Sequence, residues 1–176
     1  MGAVGADLAG ACYCFRMELN PYAKFLGERE PVAVIRETSG AIRQLLGRMP
    51  VEQVQLTAPG TKWNAREIVC HLADCELVFG FRLRQTLAED GPLVQPFDQT
   101  KWGLRYGNCD VEAALRMFEA ARAWNLLLIE GATAEDRKRP VTHPERGTMT
   151  FWTIVETMAG HDVNHLRQLE RLAGEG

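Results

Sequence analysis

The sequence predicts an all-α protein, a single domain built as a four-helix bundle. Four long segments repeat apolar residues at helical spacing between clear stop signals. No stretch alternates apolar and polar residues between hairpin turns as a surface strand would. At 176 residues and 19.7 kDa the chain fits one domain and can bury a core without disulfides or a structural metal.

A short helical turn, Pro21 to Leu26 closed by Gly27, precedes the first long segment. That segment runs from Pro31 to Leu46: Val34, Ile35, Thr38, Ile42, Leu45 and Leu46 recur three and four apart, and Gly47 and Pro50 stop it. The second has the clearest start. Asn64 can cap the free amides, Glu67 can reach back to complete a capping box, and Trp63 with Ile68 supplies a hydrophobic staple. Its stripe is Ile68, Leu72, Cys75, Phe79, Leu83 and Leu87, ended by Asp90-Gly91-Pro92. The third begins at Asn108 or Asp110, carries Val111, Leu115, Phe118, Ala121, Asn125 and Ile129, and ends at Gly131. After Arg139 the stretch RPVTHPERGTMTF has room for a small extended excursion. The fourth begins near Thr148 or Thr150 and runs through Phe151, Ile154, Val155, Met158, Asp162, His165, Leu169 and Leu172 to Gly174. The links, roughly 17 residues each, are longer than a simple up-and-down bundle needs and leave room for a crossover between parallel neighbours.

Composition removes several function classes. Lys and Arg total 20 against 23 acidic residues, a net charge of −3, so the main driving force for binding nucleic acid is missing. The apolar runs near 126–129 and 151–155 fall far short of the roughly 20 residues that cross a bilayer. Residues 1–16, MGAVGADLAGACYCFR, lack a basic start and carry Asp7, unlike a secretory signal; they read as a loose or over-called tail before a single domain at 17–176. Five cysteines with no C-x-x-C pair favour a reducing cytoplasm. Cys70 and Cys75, five apart on one helix, point in different directions and read as buried, inert thiols that share no metal.

Chemistry concentrates on three of the four histidines, His71, His161 and His165, which interrupt or flank the apolar stripes. His161 and His165 are four apart, about 40° around the axis and one turn along it, the spacing by which one helix gives two imidazoles to one metal. His71 lies roughly 10 Å into its helix and His165 roughly 12 Å from the end of the last, so antiparallel packing would bring all three to one level. A tridentate site with open positions is the pattern of a catalytic centre; buried histidines satisfied by carbonyls are the structural alternative. HDVNH also resembles the zincin HExxH with Asp for Glu, but no histidine follows His165, which sets a protease reading aside. Asp74 and Asp162 are the candidate catalytic residues. Asp74, three residues after His71, could orient an imidazole or take a proton, or be an ordinary helix acid; Asp162 could be an imidazole's hydrogen-bond partner or a member of an ion pair. Trp102 and Tyr106 either wall a pocket or lie as lids over the bundle end, and His143 reads as exposed rather than as a fourth ligand.

The segments WNAREIVCHLADCE at 63–76, FDQTKW at 97–102 and AGHDVNHLRQL at 159–169 resemble the signature segments of the DinB/YfiT-like superfamily in sequence, order and spacing, and the resemblance covers Asn20 to Leu172. It implies an up-down-down-up bundle with a divalent metal held by one histidine of the second helix and two of the fourth, here His71, His161 and His165. Many members have histidine where Asn164 stands; by helical spacing Asn164 faces away from the pair, so the triad is untouched. Members with known chemistry include bacillithiol S-transferases and mycothiol-dependent isomerases and transferases, with zinc, nickel or another first-row metal. The resemblance therefore implies a metal-dependent thiol S-transferase. In it a zinc or nickel ion (iron, manganese or copper being alternatives) lowers the pKa of a low-molecular-weight thiol or a water, with a small-molecule substrate and a homodimer. A non-catalytic, stress-associated metal-binding bundle and a metal-dependent hydrolase are the competing readings.

Overall fold

Each long helix starts where a capping side chain can accept the free backbone amides. In the computed structural model, which describes residues 19–57 and 62–174, α1 is the turn Ala23–Leu26 and α2 runs Pro31–Arg48. The Glu30 carboxylate accepts the amides of Val32 and Ala33 at the start of α2, where Pro31 donates nothing that would be missed. α3, Ala65–Ala88, opens on the expected capping box: Asn64 accepts the Glu67 amide and Glu67 accepts the Asn64 amide, both at 2.9 Å. Trp63 packs against the same apolar cluster as Ile68 and also lays its ring on His71. The crossover holds the short α4, Gln99–Gly103, capped by Asp98. Asp110, rather than Asn108, caps α5, Val111–Glu130; Thr150, rather than Thr148, caps α6, Phe151–Leu172. Between them the extended excursion is an antiparallel hairpin of β1, Pro140–His143, and β2, Gly147–Thr150, with Val141 opposite Met149. Gly147 takes φ 90°, which favours glycine. The segment 1–16 and its cysteines lie outside the described residues. Among the described residues no helix is long and apolar enough to cross a membrane.

The helix directions follow from two apolar clusters at opposite ends of the bundle. One gathers Ile35 of α2, Leu83 of α3, Ile129 of α5 and Ile154, Val155 and Met158 of α6. The other gathers Ile42 and Leu45 of α2, Ile68 and Leu72 of α3, Leu115 and Phe118 of α5 and Leu169 and Leu172 of α6. Residue numbers rise from the first cluster to the second along α2 and α6 and fall along α3 and α5. The bundle is therefore up-down-down-up, with α3 antiparallel to α6 and the segment from Gly91 to Cys109 as the crossover between two parallel helices. α1 lies against α6 at Gly160, where an added Cβ would sit 2.5 Å from the Tyr22 carbonyl oxygen.

Between the two clusters lies a polar belt. Arg122 of α5, buried with Glu76 and Asp162, donates to Glu76 Oε2 on α3 at 2.8 Å, to Asp162 Oδ2 on α6 at 2.7 Å and to the Ile35 carbonyl on α2 at 2.8 Å. Asn125 adds a donor to Glu76 Oε1 at 2.8 Å. Burial works against the guanidinium charge, but the two carboxylates outweigh it and hold its pKa above the ordinary arginine value.

Two outcomes follow. Arg122→Met strands two buried carboxylates and should lower the unfolding free energy by about 3–5 kcal/mol in urea titrations, with Glu76→Gln and Asp162→Asn on that background recovering much of the loss. A loss of under about 1 kcal/mol would show that the belt is not a buried ionic network. Gly160→Ala should cost about 1–3 kcal/mol by pushing α1 off α6, and an unchanged unfolding midpoint would contradict that contact.

Candidate metal centre

α3 contributes His71 from its inner face and α6 contributes His161 and His165 from successive turns. All three side chains are buried in the polar belt. One nitrogen from each lies within 4.8 Å of the others, and His71 Nε2 and His161 Nε2 are 3.1 Å apart. A tetrahedral ion with arms of 2.0–2.1 Å would set its nitrogen ligands ~3.3 Å apart, so this edge already has the size of a coordination edge. His165 Nδ1 lies 3.2 Å from Gln168 Oε1, one helical turn on. The amide oxygen can only accept, so the proton sits on Nδ1 and the Nε2 lone pair stays free for a ligand. Gln168 is thus a positioning residue that the sequence reading passed over; its i, i+3 spacing from His165 was the available signal. Rings close the site: Trp63 lies 4.5 Å from the His71 ring centroid, Tyr22 stands edge-on to His161 at 5.1 Å, and Phe79 does the same at 5.8 Å.

Burial decides the charge of these imidazoles. It lowers the pKa of His71 to about 3, with the neighbouring His165 adding to the effect. It lowers His165 to about 4 against a smaller opposing contribution from Gln168, and it takes His161 well below the usual histidine range. Near pH 7 all three are neutral, the protonation state a divalent ion requires of its ligands.

The other candidates fall in different places. Asp162 makes its ion pair with Arg122; its Oδ1 is 4.0 Å from His161 Nδ1, beyond hydrogen-bonding distance. Burial raises the Asp162 pKa and Arg122 works against that rise. The structure does not bring Asp74 to the triad: its Oδ2 accepts the Tyr106 hydroxyl at 2.7 Å. Tyr106 is buried and Trp102 is exposed. His143 corrects the expectation of exposure. Pairing of β1 with β2 buries it, and its Nδ1 accepts the Glu145 amide at 3.2 Å. Cys75 is buried, as expected. It lies one turn after His71 with Sγ 3.4 Å from His71 Nε2, and burial pushes its thiol pKa up. Comparison with Cys70 alone hid this i, i+4 neighbour.

Two cavities reach the triad. One, about 240 Å³, abuts His161 and is lined by Tyr22, Cys75, Arg82, His143 and Arg146 among others. The second, about 170 Å³, abuts His165 and is lined by Trp63, Gln168 and the half-buried Asn164. The larger cavities lie away from the three imidazoles, one of about 690 Å³ beside the crossover and one of about 470 Å³ between the end of α2 and the start of α5. Size alone would point there, but of these four cavities only the smaller pair touches the three-histidine cluster.

The DinB superfamily model matches residues 35–169. A protein of Oceanobacillus iheyensis provisionally named a metal-dependent hydrolase is 27% identical over 122 residues, 69% of this chain and 71% of its own. Another of the same provisional name, from Geobacillus kaustophilus, is 28% identical over 148 residues, 82% and 83% of the two chains. In structure the chain is similar to YfiT from Bacillus subtilis, described with like reserve as a metal-dependent hydrolase with an unusual four-helix bundle topology. That match has TM-score 0.73 and 22% identity and covers 83% of this chain and 87% of YfiT. Agreement with YfiT is agreement of fold, whereas the family match spans most of the sequence, including all three histidines. The chain belongs to the DinB superfamily.

Proposed function

We propose that this protein is a metal-dependent enzyme acting on a small molecule, in which His71, His161 and His165 would hold a divalent ion. The observation that carries the reading is the convergence of three neutral, buried imidazoles at a point reached from two cavities. A structural site would be closed by a fourth protein ligand and sealed from any pocket. A divalent ion held there would supply Lewis acidity, the means of lowering the pKa of a water or a thiol nucleophile.

The chain's own residues account for the rest. Gln168 fixes the His165 tautomer, and Trp63 shields His71 and His165 from bulk water. Asp162 is held by Arg122 and makes no hydrogen bond to His161. Asp74 anchors Tyr106. The provisional names of the relatives favour water as nucleophile, hence hydrolysis. Thiol S-transfer would use the same imidazoles and the same ion, and zinc and nickel both suit three imidazoles.

Protein purified without an affinity tag should carry about one divalent metal per chain by elemental mass spectrometry. His71→Ala, His161→Ala and His165→Ala should each lose it while the helical circular dichroism persists. Wild-type protein that takes up no metal on reconstitution would overturn the reading. Stability of the metal-free protein should also depend on pH in a set direction. Unfolded histidines titrate near 6.5, whereas folded His165 and His71 titrate near 4 and 3, so below 6.5 the unfolded chain binds more protons. Urea midpoints should therefore fall as pH drops from about 6.5 towards 4 and stay level from about 7 to 8. A flat profile across the acid window would mean that the imidazoles are not buried neutral.

A further inference from the structure

The cavity against His161 has a charge that the three imidazoles do not explain. Arg82 on α3 and Arg146 in the turn between β1 and β2 both line it. Among the described residues neither guanidinium forms an ion pair with a carboxylate. Arg82 makes one hydrogen bond, to the Gln95 carbonyl at 2.7 Å. Arg146 Nε is buried without a partner. Burial lowers the Arg82 pKa and the neighbouring Arg146 charge lowers it further. Two like charges sharing a partly buried space are unfavourable, and the buried Arg146 Nε–H lacks an acceptor. Glu145 also lines the cavity but is exposed and pairs with neither.

Two further polar groups of the lining can donate as well. Because His143 Nδ1 accepts the Glu145 amide, the neutral imidazole carries its proton on Nε2, and Tyr22 adds a hydroxyl. A cavity of about 240 Å³ with two guanidiniums, an imidazole N–H and a phenol is complementary to a small anion, since a guanidinium fork matches a carboxylate or phosphate edge.

We infer that the substrate of the three-histidine site carries an anionic group, a carboxylate or a phosphate, that is bound by Arg82 and Arg146 in the cavity against His161. This rests on the proposed metal-dependent activity for the word substrate, but the anion site is a property of the chain without metal. The scissile part of the substrate then faces the imidazoles while its charged end is held one side-chain layer away, towards the hairpin.

The test is calorimetric titration of inorganic phosphate and of acetate, at constant ionic strength, into metal-free and zinc-loaded wild-type protein. Arg82→Gln/Arg146→Gln, Arg82→Lys/Arg146→Lys and the remote control Lys138→Gln are titrated alongside. Metal-free wild type should bind at least one of the anions, and whichever is tighter identifies the class. The double glutamine variant should bind it about tenfold more weakly or not at all, the double lysine variant should retain part of the affinity, and Lys138→Gln should match wild type. Zinc content of the lysine variant should equal that of wild type. Equal anion affinity in wild type and both double variants would overturn the inference, as would binding that requires zinc and ignores both arginines. Failure of zinc to bind, with arginine-dependent anion binding intact, would instead overturn the metal reading and leave the anion site standing.

Discussion

Arg122 ties the four helices to one another. From α5 its guanidinium reaches a carbonyl on α2, a carboxylate on α3 and a carboxylate on α6, so the relative height of all four helices is fixed at one point. The apolar clusters above and below tolerate sliding, since hydrophobic contact has little direction, whereas a planar fork between two carboxylates does not. This register brings His71 level with His161 and keeps His161 and His165 facing α3. The stacking of the Arg122 guanidinium at 4.6 Å from the Phe118 ring joins the polar belt to the apolar cluster below it.

The triad inherits its electrostatics from that arrangement. Imidazoles set in an aromatic and aliphatic surround lose the water that would stabilise a positive charge, and they hold lone pairs instead of protons. The belt therefore contains two kinds of polar group: a charged cluster that is internally paired, and a neutral cluster whose capacity is turned towards cavities. The guanidiniums of Arg82 and Arg146 on the hairpin side give the approach to that neutral cluster a positive character.

Much of this was legible in the sequence because the signals are local. The helices follow from apolar spacing and from Asn64, Asp110 and Thr150, whose caps involve residues within a few positions. The triad follows from i, i+4 spacing and a length argument that needed only antiparallel helices. What escaped depends on tertiary partners. Glu76 and Arg122 look like solvated residues of amphipathic helices until each is seen to satisfy the other. His143 lies in a Pro-flanked stretch, and only strand pairing buries it. Asp74 and Asp162 were both placed near imidazoles by periodicity, yet Tyr106 takes the one and Arg122 the other.

The belt also bears on how the bundle comes apart. The bonds that join its helices link residues 40, 46, 49, 87 and 90 positions apart, so they form only once the helices have come together. Two apolar clusters at opposite ends would by themselves allow one end to melt while the other held. A half-opened bundle, however, would keep Glu76, Asp162 and Arg122 in a dry interior with their partners withdrawn, a state higher in energy than either end state. The ionic belt thus couples the two ends into one cooperative unit and selects all-or-none unfolding over fraying from the termini.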